Sequence, residues 1–394
     1  MRCFFNKGVL FVTIGLYLIL PMNDSAAQEK VEWLRCDLHN HCEDHDLVEA
    51  HVEGVSERLD VIALSNHAQK PIFFEQHRMV EKARQLLPGR LVLFGMEWNA
   101  PLGVHANLIF PAGPNEAENA YAFARAYDRL GPGKDLTPEG ALNALAALPP
   151  DERPVLFFNH PVADQWSNQA IARYIKADHG CVVAGIEALH GHQLHARIAA
   201  LDPLTYPGSA IGGLSDRVYE SGRPFSMLAH SDFHVHKMSH QPDYLLGVFN
   251  HSLVGVPLGC CSSTEVLTAL RTGSSCAAQG HWLNLRDFYI GQAQVGQVWD
   301  GSANRGRISL ETSEPVEKVE LIGRLCTGAP STVLHEFGPL EAGTHELTFQ
   351  VPAEAHGFVR LRIVAASRSR PHPGTNGTKL FQTSAILLLS QQTA

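Results

Sequence analysis

Basic residues are in short supply. The chain has 31 Lys and Arg against 40 Asp and Glu, a formal net charge of −9. Proteins that hold a phosphate backbone need clustered cations, so this composition predicts a small-molecule substrate and excludes nucleic acid. Cysteine is sparse too, with 8 in 394 residues and no C-x-x-C spacing. Cys3 lies in the N-terminal segment, and the other seven leave at least one thiol free in an oxidising compartment. Cys260 and Cys261 are too close in sequence to bridge easily. Cys36 and Cys42 could pair across the motif they flank, or Cys42 could simply be a small buried apolar residue. No internal repeat, long linker or aromatic cluster of the kind that binds glycans is present.

The N-terminus reads as a targeting signal. Arg2 and Lys7 precede an apolar run from Gly8 to Leu20, and Ser25-Ala26-Ala27 offers a small-residue cleavage site. Thirteen apolar residues fall short of the roughly 20 a membrane span needs. Residues 1–27 are therefore expected to be removed, leaving an exported chain, secreted or periplasmic, with no stable membrane insertion. The length that remains suffices for two domains.

One pattern recurs through residues 28–283: a short apolar run ending in a histidine or a carboxylate. Asp37-Leu38-His39-Asn40-His41 comes first. Val61 to Ser65 leads to Asn66-His67, and Leu91 to Met96 leads to Glu97. Val155 to Asn159 leads to His160-Pro161, and Phe225 to Ala229 leads to His230-Ser231-Asp232-Phe233-His234. Runs this short and apolar predict strands buried on both faces, as in a parallel sheet or barrel. A lone H-x-H is common on ordinary solvated strands. Five ligand-type residues in series at strand ends are how a barrel assembles a reaction centre, and imidazole with carboxylate suits divalent transition metals. Helical segments lie between the strands. Phe74 to Leu87 has one apolar side, Thr137-Pro138 starts a second helix, and Ser262 starts a third that stops at Gly273. These observations imply an α/β barrel carrying a multi-metal hydrolytic centre.

The same five motifs, in order, resemble those of the PHP (polymerase and histidinol phosphatase) superfamily, over roughly residues 33 to 283. Ala269-Leu270-Arg271-Thr272-Gly273 is similar to the closing helix of its carbaryl-hydrolase-like branch. The resemblance implies a distorted (β/α)7 barrel with two or three divalent ions, of zinc, manganese or iron. It implies a first metal held by His39, His41, Glu97 and Asp232. Glu97 would bridge to a second metal completed by His105 and His160, and a third would take Asp46, His67 and His234. Asp44 and His45 compete with Asp46 in so short a loop. Glu97, Asp232 and His234 are the catalytic candidates, and Asp37 and Asn66 would orient imidazoles. The family usually has Asp where this chain has Asn66.

Glu187, His190 and His192 follow another predicted strand and could line the substrate pocket, or the two histidines could belong to a solvated loop. Trp166 could stack on a substrate ring or plug the barrel mouth. After Trp282 the pattern changes to alternation with a period of two, as in Arg307 to Glu311 and Val359 to Val364. This predicts a small all-β sandwich over 284–394, read as an appendage packed on the barrel. Pro371 to Gly374 and Asn376-Gly377 mark a loop near its end. Two cations sharing a water can lower its pKa from about 15.7 toward 7. The expected activity is therefore hydrolysis, of small phosphoesters first, since their nonbridging oxygens can bind several ions. Carbamate, ester or amide hydrolysis is the alternative, and a non-catalytic binding role fits the near-complete ligand set least.

Overall fold

The structure is a computed structural model that describes residues 30–131, 136–161, 165–179, 182–192, 201–235, 244–365 and 378–389. The signal segment, Cys181, the side chain of Trp166 and the turns at 371–374 and 376–377 lie outside the described residues.

In chain order the first strands are β1 (Val31–Asp37), β2 (Asn40–Cys42), β3 (Val61–Leu64), β4 (Leu91–Asn99), β5 (His105–Phe110) and β6 (Val155–Phe158). They continue with β7 (Val183–Leu189), β8 (Ser226–Ala229), β9 (Phe233–Val235), β10 (Asn250–Pro257) and β11 (Ser275–Gln279). One large sheet runs in the order β11-β10-β1-β3-β4-β5-β6-β7-β8. The protein is thus mixed α/β around a large central sheet.

The uninterrupted apolar runs have a direct cause, since both faces of these strands are buried. Val61, Ala63, Leu93, Ile109, Val155, Phe157, Ala184 and Leu228 share one cluster with Val266, Leu267 and Leu270 of the helix Ser263–Thr272. Their sequence neighbours Ile62, Leu64, Val92, Phe94, Leu108, Leu156 and Phe158 pack in another. There they meet the helices Gln76–Leu86, Glu116–Tyr127, Pro138–Ala146 and Gln165–Ala177. The helix starts follow the sequence reading: Thr137 Oγ1 accepts from Gly140 N, and Ser262 Oγ accepts from Glu265 N. Gly273, at φ 76°, ends the last of these helices.

The sheet is not parallel throughout. β1–β3–β4 and β6–β7–β8 are parallel, but β5 is antiparallel to both its neighbours and β10 is antiparallel to β1. A short turn at Pro101–Gly103, with Leu102 at φ 66° and Gly103 at φ 80°, folds β4 back into β5. The sheet curls until β8 lies against β10 and β11, where serine hydroxyls replace a backbone ladder. Ser252 Oγ accepts from Ala229 N and donates to Ala229 O, both at 3.0 Å. Ser384 Oγ accepts from Met227 N at 2.9 Å, and Ser275 Oγ donates to Met227 O at 3.3 Å.

The remaining strands are β12 (Leu283–Ile290), β13 (Ala293–Gln294), β14 (Val298–Trp299), β15 (Arg305–Thr312) and β16 (Val316–Arg324). After them come β17 (Thr332–Glu336), β18 (Gly343–Gln350), β19 (Gly357–Ala365), β20 (Leu380–Thr383) and β21 (Ile386–Leu388). A four-stranded sheet, β13-β12-β15-β18, shares an apolar cluster with β16, β19, β20 and β21. The latter strands join the large sheet through β20, which pairs with β11 from Cys276↔Thr383 to Ala278↔Phe381. A buried ion pair, Arg360 Nε to Asp216 Oδ1 at 2.7 Å, adds a second tie across the same boundary.

Candidate metal centre

Eight of the nine residues read as metal ligands meet at one edge of the curled sheet. β1 delivers His39 and His41 just past its end, and β2, paired with β9, holds His41 opposite His234. Glu97 lies on β4 and His67 forms an isolated bridge to it. His105 opens β5. Because β5 runs backwards, its first residue reaches the edge that the other strands reach with their last.

Glu97 is 1 % exposed and is the hub. Its Oε1 faces His105 Nδ1 at 2.9 Å and His160 Nε2 at 3.2 Å, with His39 Nε2 at 3.6 Å. Its Oε2 faces His67 Nδ1 at 2.6 Å and His41 Nε2 at 3.3 Å. Asp232 Oδ1 stands 3.3 Å from Nε2 of both His39 and His41. Ligand atoms close enough to share an ion occur in four groups among the described residues: His39–His41–Asp232, His39–Glu97–His160, His41–His67–His234 and His192–Asp232–His234.

Asp46 is not among them. It is exposed on a short 3-10 turn and donates its backbone N–H to Asp44 Oδ1. The chain's spacing after H-x-H therefore does not carry a carboxylate into the centre. His45 points elsewhere as well, its Nε2 lying 3.3 Å from Glu75. His192 stands beside His234 where Asp46 was expected. Its Nε2 lies 2.8 Å from Asp232 Oδ2, and its ring stacks on His234 with centroids 5.0 Å apart.

Sequence reasoning placed Glu187 in the pocket lining. In the structure it is fully buried and sits behind the ligands. Its Oε1 accepts from His39 Nδ1 at 2.8 Å and its Oε2 from the His160 backbone N–H at 2.6 Å. That bond leaves His39 Nε2 free to face Asp232 and Glu97, the arrangement carboxylates impose on metal-binding imidazoles. His230 Nδ1 stands 3.4 Å from the same oxygen, and its Nε2 lies 3.1 Å from Ser252 Oγ. The end of β7 falling on a carboxylate was the available signal for Glu187. His230 had none beyond its place before Ser231-Asp232.

Asn66 does not reach His67. Its Nδ2 donates to Cys42 O at 2.8 Å. Cys36 and Cys42 are buried free thiols, not a disulfide. Backbone strain also gathers here: His160, His192 and Asp232 have φ of 26°, 52° and 49°, a region non-glycine residues seldom occupy. Gly191 has to be glycine, because a Cβ there would lie 2.3 Å from the Asp232 Cβ.

Polar atoms without partners test whether cations fit. Among the described residues His41 Nε2, His67 Nδ1 and Glu97 Oε2 are buried and have no hydrogen bond, though they face one another. Such atoms cost free energy unless something answers them, and divalent cations held among these groups would answer them. The charge balance agrees. Burial would lower the His39 pKa, yet Asp232, Glu187 and Glu97 together hold it well above the usual imidazole range, an anionic field in which a metal cation would take the place of the proton. Burial would raise Glu97 and Asp232, yet His39 and its neighbours press both well below the carboxylate range. Burial leaves His41 and His234 with lowered pKa values, hence neutral, as ligation requires.

No protein-family model and no curated protein sequence matches this chain. Among solved structures it is similar to a lesion-specific endonuclease from Pyrococcus furiosus at 15% identity and a TM-score of 0.37, over 62% of this chain and 56% of that one. A structure of endonuclease Q with a 27-mer duplex carrying an abasic lesion gives 13%, 0.36, and 61% and 57%. A glycoside hydrolase gives 8% and 0.24, over 89% and 92%. The chain thus spans little more than half the length of the endonucleases. One expectation is corrected here. One of those structures holds a duplex substrate with an abasic lesion at the active site, and the exclusion of nucleic acid is withdrawn.

Proposed function

We propose that the protein is a metal-dependent hydrolase, a phosphoesterase before a carbamate, ester or amide hydrolase, working with two or three divalent ions. The observation that carries this reading is Glu97, whose two oxygens face separate sets of imidazoles. His39, His41, Glu97 and Asp232 would hold one ion, and Glu97, His105 and His160 a second. His67 and His234 would hold a third, with His41 or His192 in the place first given to Asp46.

Divalent ions in such a centre supply acidified water and a Lewis acid for the electrophile. The chain's own residues do the rest. Glu97 fixes the spacing of the two imidazole sets, Glu187 sets the tautomer of His39 and the backbone of His160, and burial keeps bulk water from the carboxylates. The phosphoester reading is supported by the number of ligand groups, since a phosphoryl group offers several oxygens to several ions and a carbonyl offers one.

On this reading residues 28–283 form the distorted (β/α)7 barrel, 284–394 the β-sandwich and 1–27 the export signal. The test is metal analysis of the purified protein beside a panel of p-nitrophenyl phosphate, a phosphodiester, a carbamate, a carboxylic ester and a duplex oligonucleotide. Glu97→Gln serves as the control. Turnover that needs metal and disappears with Glu97→Gln supports the reading, and full metal occupancy with a near-normal rate in that variant sinks it.

A further inference from the structure

A cavity of about 480 Å³ opens beside His41 and His67, a volume that takes a small organic ligand. Its wall is apolar where Pro71 and Ile72 begin the turn Pro71–Glu75. Asn66 also lines it; the residue is only 2% exposed, and its Oδ1 has no hydrogen-bond partner. At the rim stands Lys70, the one Lys or Arg among the described residues of the lining. Its backbone N–H is tied to His67 O at 3.0 Å, which fixes the residue next to the metal groups. Glu75 lines the cavity as well but is already engaged, with His45 Nε2 at 3.3 Å and Arg78 at 3.4 Å. No carboxylate among the described residues pairs with the Lys70 ammonium.

We propose that this cavity holds the part of the substrate beyond the scissile bond, and that Lys70 selects substrates bearing a carboxylate there. The inference rests on metal-dependent hydrolysis at the Glu97 centre. The expected substrate has a group for the metals at one end, a short apolar body against Pro71 and Ile72, and an anionic terminus at Lys70. Glu43 also lines the cavity, so a cationic terminus is the rival that the experiment must address.

The experiment is calorimetric titration of the full chain, supplemented with zinc or manganese, with three non-hydrolysable ligands. These are phenylphosphonate and its para-carboxy and para-aminomethyl derivatives. The wild type should bind the carboxylate about fivefold tighter than the parent, the upper range for a solvent-facing ion pair. Lys70→Ala should equalise the two, Lys70→Glu should reverse the order, and Lys82→Ala, outside the cavity, should change nothing. Equal affinities in the wild type, a preference for the amine, survival of the preference in Lys70→Ala, or no binding of any ligand would each overturn the proposal. The outcome is separable from the hydrolase reading. A carboxylate preference without turnover of any panel substrate leaves the subsite standing and removes the enzyme, and turnover without the preference does the reverse.

Discussion

Glu187→Gln removes one charge and almost no volume, which makes it a sharp probe of the centre. Glu187 accepts two buried hydrogen bonds, at 2.8 Å from His39 Nδ1 and at 2.6 Å from His160 N. A glutamine has one oxygen, so its NH2 must face one of these two N–H donors. At least one bond is lost and a donor–donor contact replaces it. Hydrogen bonds to charged groups contribute about 1.5–3 kcal/mol, and 1.4 kcal/mol is tenfold in an equilibrium constant. If His39 loses its partner, its Nε2 is no longer held as the metal-facing atom. The expected loss of affinity for the metal shared by His39, His41 and Asp232 is therefore roughly 10- to 100-fold, the range typical of groups behind metal ligands. Competition with a chromophoric chelator, read beside a thermal melt, measures it. A variant that melts cooperatively and keeps wild-type affinity would refute the account of Glu187 as the group that holds His39.

Three further outcomes follow from the same geometry. Asn66→Asp sets a carboxylate oxygen against Cys42 O, which now accepts from Nδ2. Loss of that buried bond plus an unpaired charge should cost about 2–4 kcal/mol, seen as a lower urea midpoint; an unchanged midpoint would mean that the side chain turns away. His51 and His251 are buried with their pKa values lowered to about 3, so the unfolded chain takes up protons near 6.5 while the folded one does not. Stability should be complete above about pH 6.5 and fall toward pH 3, by on the order of 2–3 kcal/mol per histidine at pH 4.5, and a flat urea midpoint across that window would contradict it. A chain ending at residue 283 leaves Asp216 buried without Arg360, strips β20 from β11 and removes Ser384 from Met227; it should fail to melt cooperatively or retain metal, and a soluble, metal-loaded truncation would show that these ties are dispensable.

Much of the centre was legible because strand period and ligand chemistry coincide. His39, His41, His67, Glu97, His160, Asp232 and His234 all stand where an apolar run stops, and such a run needs both faces buried to be stable. What stayed hidden was set by contacts distant in sequence. Glu187 meets His39 across 148 residues, and nothing local distinguishes a carboxylate facing a pocket from one behind an imidazole. Asp46 went wrong for the opposite reason, since a loop of few residues fixes no direction for its side chains. Strand direction was also out of reach, because a strand buried on both faces has the same composition in either orientation. The reversed β5 and β10 could not be told from their neighbours. The alternation after Trp282 did mark half-buried strands, as at β15 and β18, but it could not reveal that β20 would pair with β11.

The seam between β8 and its neighbours has a temporal consequence. Strands joined by a ladder can form as soon as both are made, but β8 is clasped by hydroxyls of Ser252, Ser275 and Ser384. The last of these lies 150 residues beyond His234. Asp232 and His234 follow directly on β8, so the half of the centre they supply is held on one side by the ladder to β7 and on the other partly by a residue made long after them. A nascent polypeptide can carry the early histidines without offering a finished cage. Closure of the seam beside the centre therefore waits on β20 and the serine that follows it.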